Sequence, residues 1–212
     1  MPLMPDDFER RLREELNAHP PSLVQVEGTR DAAVLIPIVW VPEPTLIFTR
    51  RTDTLSSHKG QISFPGGSID PGDADPAAAA LREAQEEIGL DPRAVSVVGQ
   101  LDDLETFVSG FVVTPVIGWL PERPELTPNP VEVAEIIEAP IADLTEEIRR
   151  EPGFMHRDRR YPTEAWVWNG HVIWGVTARI LRILMERLAQ AGLAEPPGET
   201  SFVWPTENPL KR

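Results

Sequence analysis

The chain has 212 residues, 41% of them apolar and 25% charged, which is typical of a globular domain with its own core. A total of 34 acidic against 20 basic side chains leaves a formal charge of −14, which disfavours nucleic acid and anionic membrane surfaces as partners. The sequence contains no cysteine, which excludes disulfides, thiolate nucleophiles and cysteine-ligated zinc. A small phosphate compound is compatible with this charge if a metal ion supplies positive charge.

The most apolar stretch, residues 32–41, is interrupted by Pro37. A membrane span needs about 20 apolar residues, and the charged N-terminal segment 1–20 lacks the apolar run of a signal peptide. We therefore expect a soluble, cytoplasmic protein. We further expect one domain over residues 1–194, followed by a proline-rich coil over 195–212.

Hydrophobic periodicity predicts the elements in chain order. Phe8, Leu12 and Leu16 recur at helical spacing, which predicts an amphipathic helix over about 6–17. Strands are predicted over 32–40, 45–49, 61–64, 95–101, 111–120, 131–137, 165–168 and 172–174. Helices are predicted over 75–89, near 141–150 and over 176–191. Because strands and helices mix without regular alternation, the pattern predicts an α+β fold with a mixed β-sheet.

The helix predicted over 75–89 has Asp75 as its N-cap and Gly89 as its C-terminal stop. It carries Glu83, Glu86 and Glu87 at i, i+3, i+4 spacing, nearly opposite its apolar face. A solvated acidic face is one interpretation. However, like charges at this spacing repel by about 0.2–0.5 kcal/mol per pair, and the last helical turn disfavours anions by about 0.3–1 kcal/mol.

A divalent cation bound to these glutamates would remove both unfavourable effects. Oxygen ligands without cysteine or paired histidine favour Mg²⁺, with Mn²⁺ as a substitute. Arg82 can reach Glu86 at i+4, although an ordinary surface ion pair is the alternative. Upstream, the glycines Gly66 and Gly67 end a strand in a turn, where they either let the backbone approach a ligand closely or merely make a tight turn.

Residues 67–90 resemble the signature of the Nudix hydrolases. The second half of that signature stands intact as Arg82-Glu83-Ala84-Gln85-Glu86-Glu87-Ile88-Gly89-Leu90. The first half departs from the family pattern. Asp73 stands where the family has glutamate, and eight residues rather than seven separate it from Arg82.

The runs 46–51, 58–61 and 64–67 are similar to a motif of the coenzyme A pyrophosphatases. Downstream, 109–111, 114–116 and 173–178 resemble the same group, so the similarity extends from about residue 32 to 188. Thr52 stands where that group usually has Ser or Ala, and Ser56 stands where it usually has a second arginine. Lys59 is an alternative source of the missing charge.

The resemblance implies a Nudix-type α/β/α sandwich and Mg²⁺-dependent hydrolysis of CoA or acyl-CoA to 3′,5′-ADP and 4′-phosphopantetheine or its acyl derivative. The residues that it implies fall into three groups. The metal ligands are Glu83, Glu86, Glu87 and Gly67; the catalytic candidates are Arg82, Glu83, Glu86 and Glu132; and the substrate contacts are Arg50, Arg51, His58, Gly66 and Gly67. The general base is either Glu83 or Glu132. Arg50, Arg51 and His58 are equally compatible with a basic strand end and an ordinary loop histidine.

Two alternatives remain open at this point. The same chemistry on ADP-ribose, NADH or a dinucleoside polyphosphate is the first, because Ser56 replaces the expected arginine. A non-catalytic Nudix module that only binds a nucleotide is the second, although such a module would be expected to lose its metal carboxylates. The chain is also compatible with a homodimer.

Overall fold

The computed structural model describes residues 3–53, 60–106, 110–145, 148–156 and 159–198. The described helices are α1 (Pro5–Ala18), α2 (Pro76–Ile88) and α3 (Val176–Gln190). The described strands are β1 (Arg30–Trp40), β2 (Pro44–Arg51), β3 (Ile62–Ser63), β4 (Gly66–Ser68), β5 (Ser96–Gln100), β6 (Leu104–Glu105), β7 (Phe111–Leu120), β8 (Val133–Pro140), β9 (Ile148–His156), β10 (Arg159–Trp168) and β11 (His171–Trp174). No helix within the described ranges is long and apolar enough to cross a membrane.

The main sheet has eight strands and is mixed, as the sequence predicts. Its central strand β1 pairs in parallel with β7 and antiparallel with β2 and β4. The strand order is β3-β2-β1-β7-β5, while β8 pairs with β2 and β6 pairs with β7. A second, antiparallel sheet has the order β11-β10-β9.

The two faces of the main sheet carry separate apolar cores, because successive side chains of a strand point to opposite faces. From β1, Ile36 and Ile38 pack into the core that also contains the apolar stripes of α1 and α3. Ala33 and Leu35 pack into the other core, with Ala79, Ala80, Ala84 and Ile88 of α2. The molecule is therefore an α/β/α sandwich, and the predicted fold class is confirmed.

The helix predicted near 141–150 is wrong in its second half. A short 3₁₀ helix spans Ile141–Thr145, and the chain then enters strand β9. The run from Thr145 to Glu151 has side chains that favour a helix locally. Backbone pairing of β9 with β10 overrides that preference, because the strand gains a complete hydrogen-bonded neighbour.

Candidate active site

Helix α2 begins and ends where its capping residues predict. The Asp75 carboxylate accepts a hydrogen bond from the Ala78 N–H at 2.8 Å, and Pro76 occupies the first turn. Gly89 adopts a left-handed conformation with φ of 69°, and its N–H reaches the carbonyls of Ala84 and Gln85. These caps fix the last turn of α2, which carries the acidic residues.

The three glutamates of α2 have very different exposures. The side chain of Glu86 is 59% exposed, that of Glu83 is 18% exposed and that of Glu87 is only 6% exposed. The expectation that all three lie nearly opposite the apolar face is therefore wrong for Glu87. The segment 127–133 covers this side of the helix, with the N–H groups of Thr127 and Asn129 donating to the carbonyls of Ile88 and Glu87 at 2.8 Å each.

Glu87 is a buried carboxylate that is incompletely partnered. Its Oε1 lies 4.0 Å from an Nη1 of Arg51, whereas its Oε2 is buried with no hydrogen-bond partner among the described residues. Burial raises the pKa of Glu87 to about 8, although the charge of Arg51 and the backbone N–H of Gly66 oppose that shift. A buried carboxylate that is incompletely hydrogen-bonded lowers the free energy of unfolding, so the stability of the fold does not explain why Glu87 is buried here.

Arg82 holds the other acidic groups in place. Its Nε and Nη2 donate to the two oxygens of Asp73 at 3.1 and 3.0 Å, and its Nη1 donates to Glu83 at 2.9 Å. The predicted contact with Glu86 is present but longer, at 3.4 Å. A further bond reaches the carbonyl of Ser68 at 3.1 Å. Hydrogen bonding to Arg82 lowers the pKa of Asp73, so the first acidic position of the motif anchors the arginine.

Gly66 and Gly67 lie in β4, directly against the acidic cluster. A Cβ at Gly67 would lie 2.6 Å from the carboxyl carbon of Glu83, and a Cβ at Gly66 would collide with the backbone of Ala33 and Val34. Glycine is therefore required at both positions, because the chain runs between β1 on one side and a carboxylate on the other.

Glu132 belongs to the same cluster. Burial is the main reason that the pKa of Glu83 is raised, and the charges of Glu86 and Glu132 add to it. Glu132 also raises the pKa of Glu87 slightly. The structure therefore brings together four of the predicted carboxylates from two distant parts of the chain.

The predicted basic contacts divide into separate groups. Arg51 lies beside Glu87, whereas Arg50 donates its Nε to Glu135 at 2.9 Å and is not part of the acidic cluster. His58, together with Ser56 and Lys59, lies outside the described residues. Arg51 has a buried Nε with no hydrogen-bond partner among the described residues.

The chemistry of these residues fits a hard divalent cation. All donors are oxygens, the buried Oε2 of Glu87 lacks a partner among the described residues, and the glycine at position 67 lets the Glu83 carboxylate lie directly against the backbone. No three His, Cys, Asp or Glu side chains within the described ranges already form a metal cage. In this structure, the carboxylates of Glu83 and Glu86 instead form ion pairs with Arg82.

Comparison with known proteins identifies the family of this chain. The NUDIX domain matches residues 29–163. The chain is 40% identical over 183 residues to a protein named uncharacterized Nudix hydrolase NudL from Photorhabdus laumondii, covering 86% of this chain and 96% of that protein. It is 44% identical over 184 residues to a protein of the same name from Klebsiella pneumoniae strain 342, covering 84% and 92%.

A crystal structure of a MutT/nudix family protein from Enterococcus faecalis superposes with a TM-score of 0.55 at 14% identity, covering 86% of this chain and 72% of that one. This likeness concerns the fold alone. Nudix hydrolases act on small nucleoside diphosphate derivatives and generally need a divalent metal such as Mg²⁺. The domain match and the identity to relatives over most of their length establish that this chain belongs to the Nudix hydrolase family.

Proposed function

We propose that this chain is a Mg²⁺-dependent pyrophosphohydrolase that cleaves CoA or acyl-CoA to 3′,5′-ADP and 4′-phosphopantetheine or its acyl derivative. The observation that carries the reaction type is the buried Oε2 of Glu87, which has no hydrogen-bond partner among the described residues and lies on the same helix as Glu83 and Glu86. Buried carboxylates with strongly raised pKa values cluster at functional sites, because only a bound ligand compensates for their burial.

Glu83, Glu86, Glu87 and the carbonyl of Gly67 are the proposed ligands of the cation, and Mn²⁺ is a substitute. When bound, Mg²⁺ would neutralise phosphate oxygens and acidify a water molecule. Arg82 contributes indirectly, since its bonds to Asp73 and Glu83 hold the carboxylates in register. Glu86 is the exposed member of the set and faces the solvent from which substrate arrives.

Glu132 is the stronger of the two candidates for the general base. Glu83 is held by a hydrogen bond from Arg82 and is already a proposed ligand of the cation. Glu132, by contrast, makes no ion pair with a basic group in the described part of the chain. It lies close enough to Glu83 and Glu87 to interact with both carboxylates, so it is beside the proposed cation site.

The sequence motif that ends at Gly67 is the support for the substrate class. The names of the relatives state no substrate and add nothing to it. Arg51 is the proposed phosphate contact that is best supported by geometry, because its buried Nε has no hydrogen-bond partner in the described part of the chain. Arg50, His58 and the strand residues Gly66 and Gly67 complete the proposed substrate contacts. Ser56 keeps ADP-ribose, NADH and dinucleoside polyphosphates as the alternative substrates, because it replaces an arginine.

Product analysis tests the substrate directly. The protein is incubated with Mg²⁺ and an equimolar mixture of CoA, ADP-ribose, NADH and a diadenosine polyphosphate, and the products are separated over time. We expect 3′,5′-ADP to appear first. Earlier release of AMP from ADP-ribose or NADH would favour the alternative substrates over CoA. No product from any compound would contradict the catalytic proposal and favour a nucleotide-binding module.

A further inference from the structure

The segment 127–133, which carries Glu132, is tied at one end to the last turn of α2. The Asn129 N–H donates to the Glu87 carbonyl at 2.8 Å. Within the segment, the N–H groups of Glu132 and Val133 donate to the Asn129 carbonyl at 3.1 and 2.8 Å, and the Val131 N–H donates to the Asn129 side chain at 3.1 Å. The segment that carries Glu132, a candidate for the general base, is therefore hydrogen-bonded to Glu87, a candidate metal ligand.

The other end of the segment is tied to Thr52, the residue that follows β2. Thr52 is buried, at 9% exposure. Its N–H donates to the carbonyl of Glu132 at 2.9 Å, and its hydroxyl donates to the carbonyl of Val131, also at 2.9 Å. A single residue therefore binds two consecutive carbonyls, one of which belongs to Glu132 itself.

Hydrogen bonds hold the part of the segment between Asn129 and Glu132, whereas Val133 is held by packing into the core, at 3% exposure. The side chain of Val131 is 66% exposed and contributes little packing. The carboxylate of Glu132 is repelled by Glu83 and Glu87, so electrostatic attraction to the cluster does not hold it in place. Any residue at position 52 except proline retains the N–H bond, but only a hydroxyl side chain supplies the second bond.

We propose that the Thr52 hydroxyl is a positioning group that keeps Glu132 within reach of the attacking water. This inference rests on the proposed function, in which Glu132 is the general base. Thr52 does not touch the substrate in this account. It acts through the backbone of Val131 and Glu132, so its loss should slow the chemical step and leave substrate binding nearly intact.

The variant Thr52→Val tests this, because it keeps the shape and removes the hydroxyl, and Thr52→Ser restores the hydroxyl. The matched control is Thr45→Val in β2, the strand that precedes Thr52, since Thr45 is 4% exposed and donates its hydroxyl to the Glu43 carbonyl at 3.0 Å, away from the site. We expect kcat to fall about 10-fold in Thr52→Val with KM changed less than about 2-fold. Thr52→Ser and Thr45→Val should retain the wild-type kcat.

A double-variant cycle separates positioning of Glu132 from a general effect on the fold. In the Glu132→Gln background, adding Thr52→Val should change kcat less than about 2-fold, because the group that it positions is already gone. An undiminished 10-fold loss in that background would overturn the inference. So would a wild-type kcat in Thr52→Val, or a failure of Thr52→Ser to restore the rate.

Hydrogen exchange provides a readout that does not depend on the substrate. The backbone amides of Asn129 and of residues 131–133 should exchange faster in Thr52→Val and at the wild-type rate in Thr45→Val. Unchanged exchange in Thr52→Val would contradict the inference even if CoA is cleaved. If wild-type protein cleaves another compound of the mixture, the CoA assignment fails and the rate comparisons are made on that compound. If it cleaves none, the proposed function fails.

Discussion

Helices α1 and α2 are both rich in carboxylates, yet they use them in opposite ways. On α1, Arg10 contacts Asp7 at 3.2 Å and Glu14 at 3.0 Å, and Arg13 contacts Glu9 at 2.9 Å. These groups are largely exposed, with side-chain exposures of 56% for Arg10 and 64% for Glu14. Each acid on this surface has a basic neighbour one turn away.

On α2, a single arginine serves several acids. Arg82 contacts Asp73, Glu83 and Glu86, while Glu87 is buried and its Oε2 has no hydrogen-bond partner within the ranges that the structure describes. The i, i+3, i+4 spacing of charges is similar on the two helices, so spacing alone does not distinguish a solvated face from a site. The sharing of one arginine by several acids, together with the burial of Glu87, does.

The largest difference between the two helices should appear when one carboxylate charge is removed from each. Glu86→Gln should lower kcat by about 100-fold or more, because it removes a proposed metal ligand. Glu14→Gln on α1 should change kcat less than about 2-fold, since its carboxylate only pairs with Arg10. Steady-state rates on the preferred substrate measure both. Circular dichroism should give the same spectrum for both variants, because each side chain is exposed.

A smaller effect concerns stability and pH. The pKa of Glu87 in the folded protein, about 8, lies above its ordinary value of 4.5. Folding therefore favours the protonated form, so the stability that this group contributes is full below pH 4.5 and is lost as the pH rises towards 8. Each pKa unit corresponds to about 1.4 kcal/mol at most.

Glu87→Gln should accordingly stabilise the metal-free protein at pH 8.5, by about 2 kcal/mol, and change it little at pH 5. Thermal unfolding in the presence of a chelator at the two pH values measures this difference. Glu14→Gln, at the exposed end of α1, should show no such pH-dependent gain. A destabilised Glu87→Gln protein at pH 8.5 would mean that the buried carboxylate supports the fold.

Weakening the contact between Asp73 and Arg82 should have an intermediate effect, and only on the rate. Asp73→Asn replaces one carboxylate oxygen that accepts from Arg82, and we expect kcat to fall about 10-fold. Asp7→Asn removes the corresponding partner of Arg10 on α1 and should leave kcat unchanged. Equal rates for wild type and Asp73→Asn would show that Arg82 holds Glu83 without help from Asp73.

The smallest effect is expected on the surface of α1. Arg10→Gln breaks two exposed ion pairs, and its Tm should differ from wild type by less than about 2 °C. Arg82→Gln should instead lower kcat strongly, because its partners belong to the proposed site. A Tm loss of many degrees in Arg10→Gln would erase the contrast between the two helices.

Local signals predicted the elements that carry the site. Asp75 and Gly89 mark both ends of α2, and the continuous apolar runs of β1 and β7 predict two buried strands. The second half of the family motif then places Glu83, Glu86 and Glu87 within one turn. These features depend on neighbours within about four residues, which is the range that sequence patterns report.

Long-range contacts account for what the sequence did not predict. The burial of Glu87 depends on the segment 127–133, which is about 40 residues further along the chain and covers the end of α2. The role of Asp73 depends on a loop that returns its carboxylate to Arg82. Strand β9 requires its partner β10, so its local helical preference misled the prediction.

The metal site is the central claim, and direct cation binding tests it. Mn²⁺ is titrated into the wild-type protein, Glu86→Gln and Glu14→Gln at pH 8.5, and bound Mn²⁺ is measured by electron paramagnetic resonance. The account predicts that wild type and Glu14→Gln bind with the same affinity and that Glu86→Gln binds at least about 10-fold more weakly. Equal affinity for all three proteins would contradict the assignment of the α2 glutamates as metal ligands.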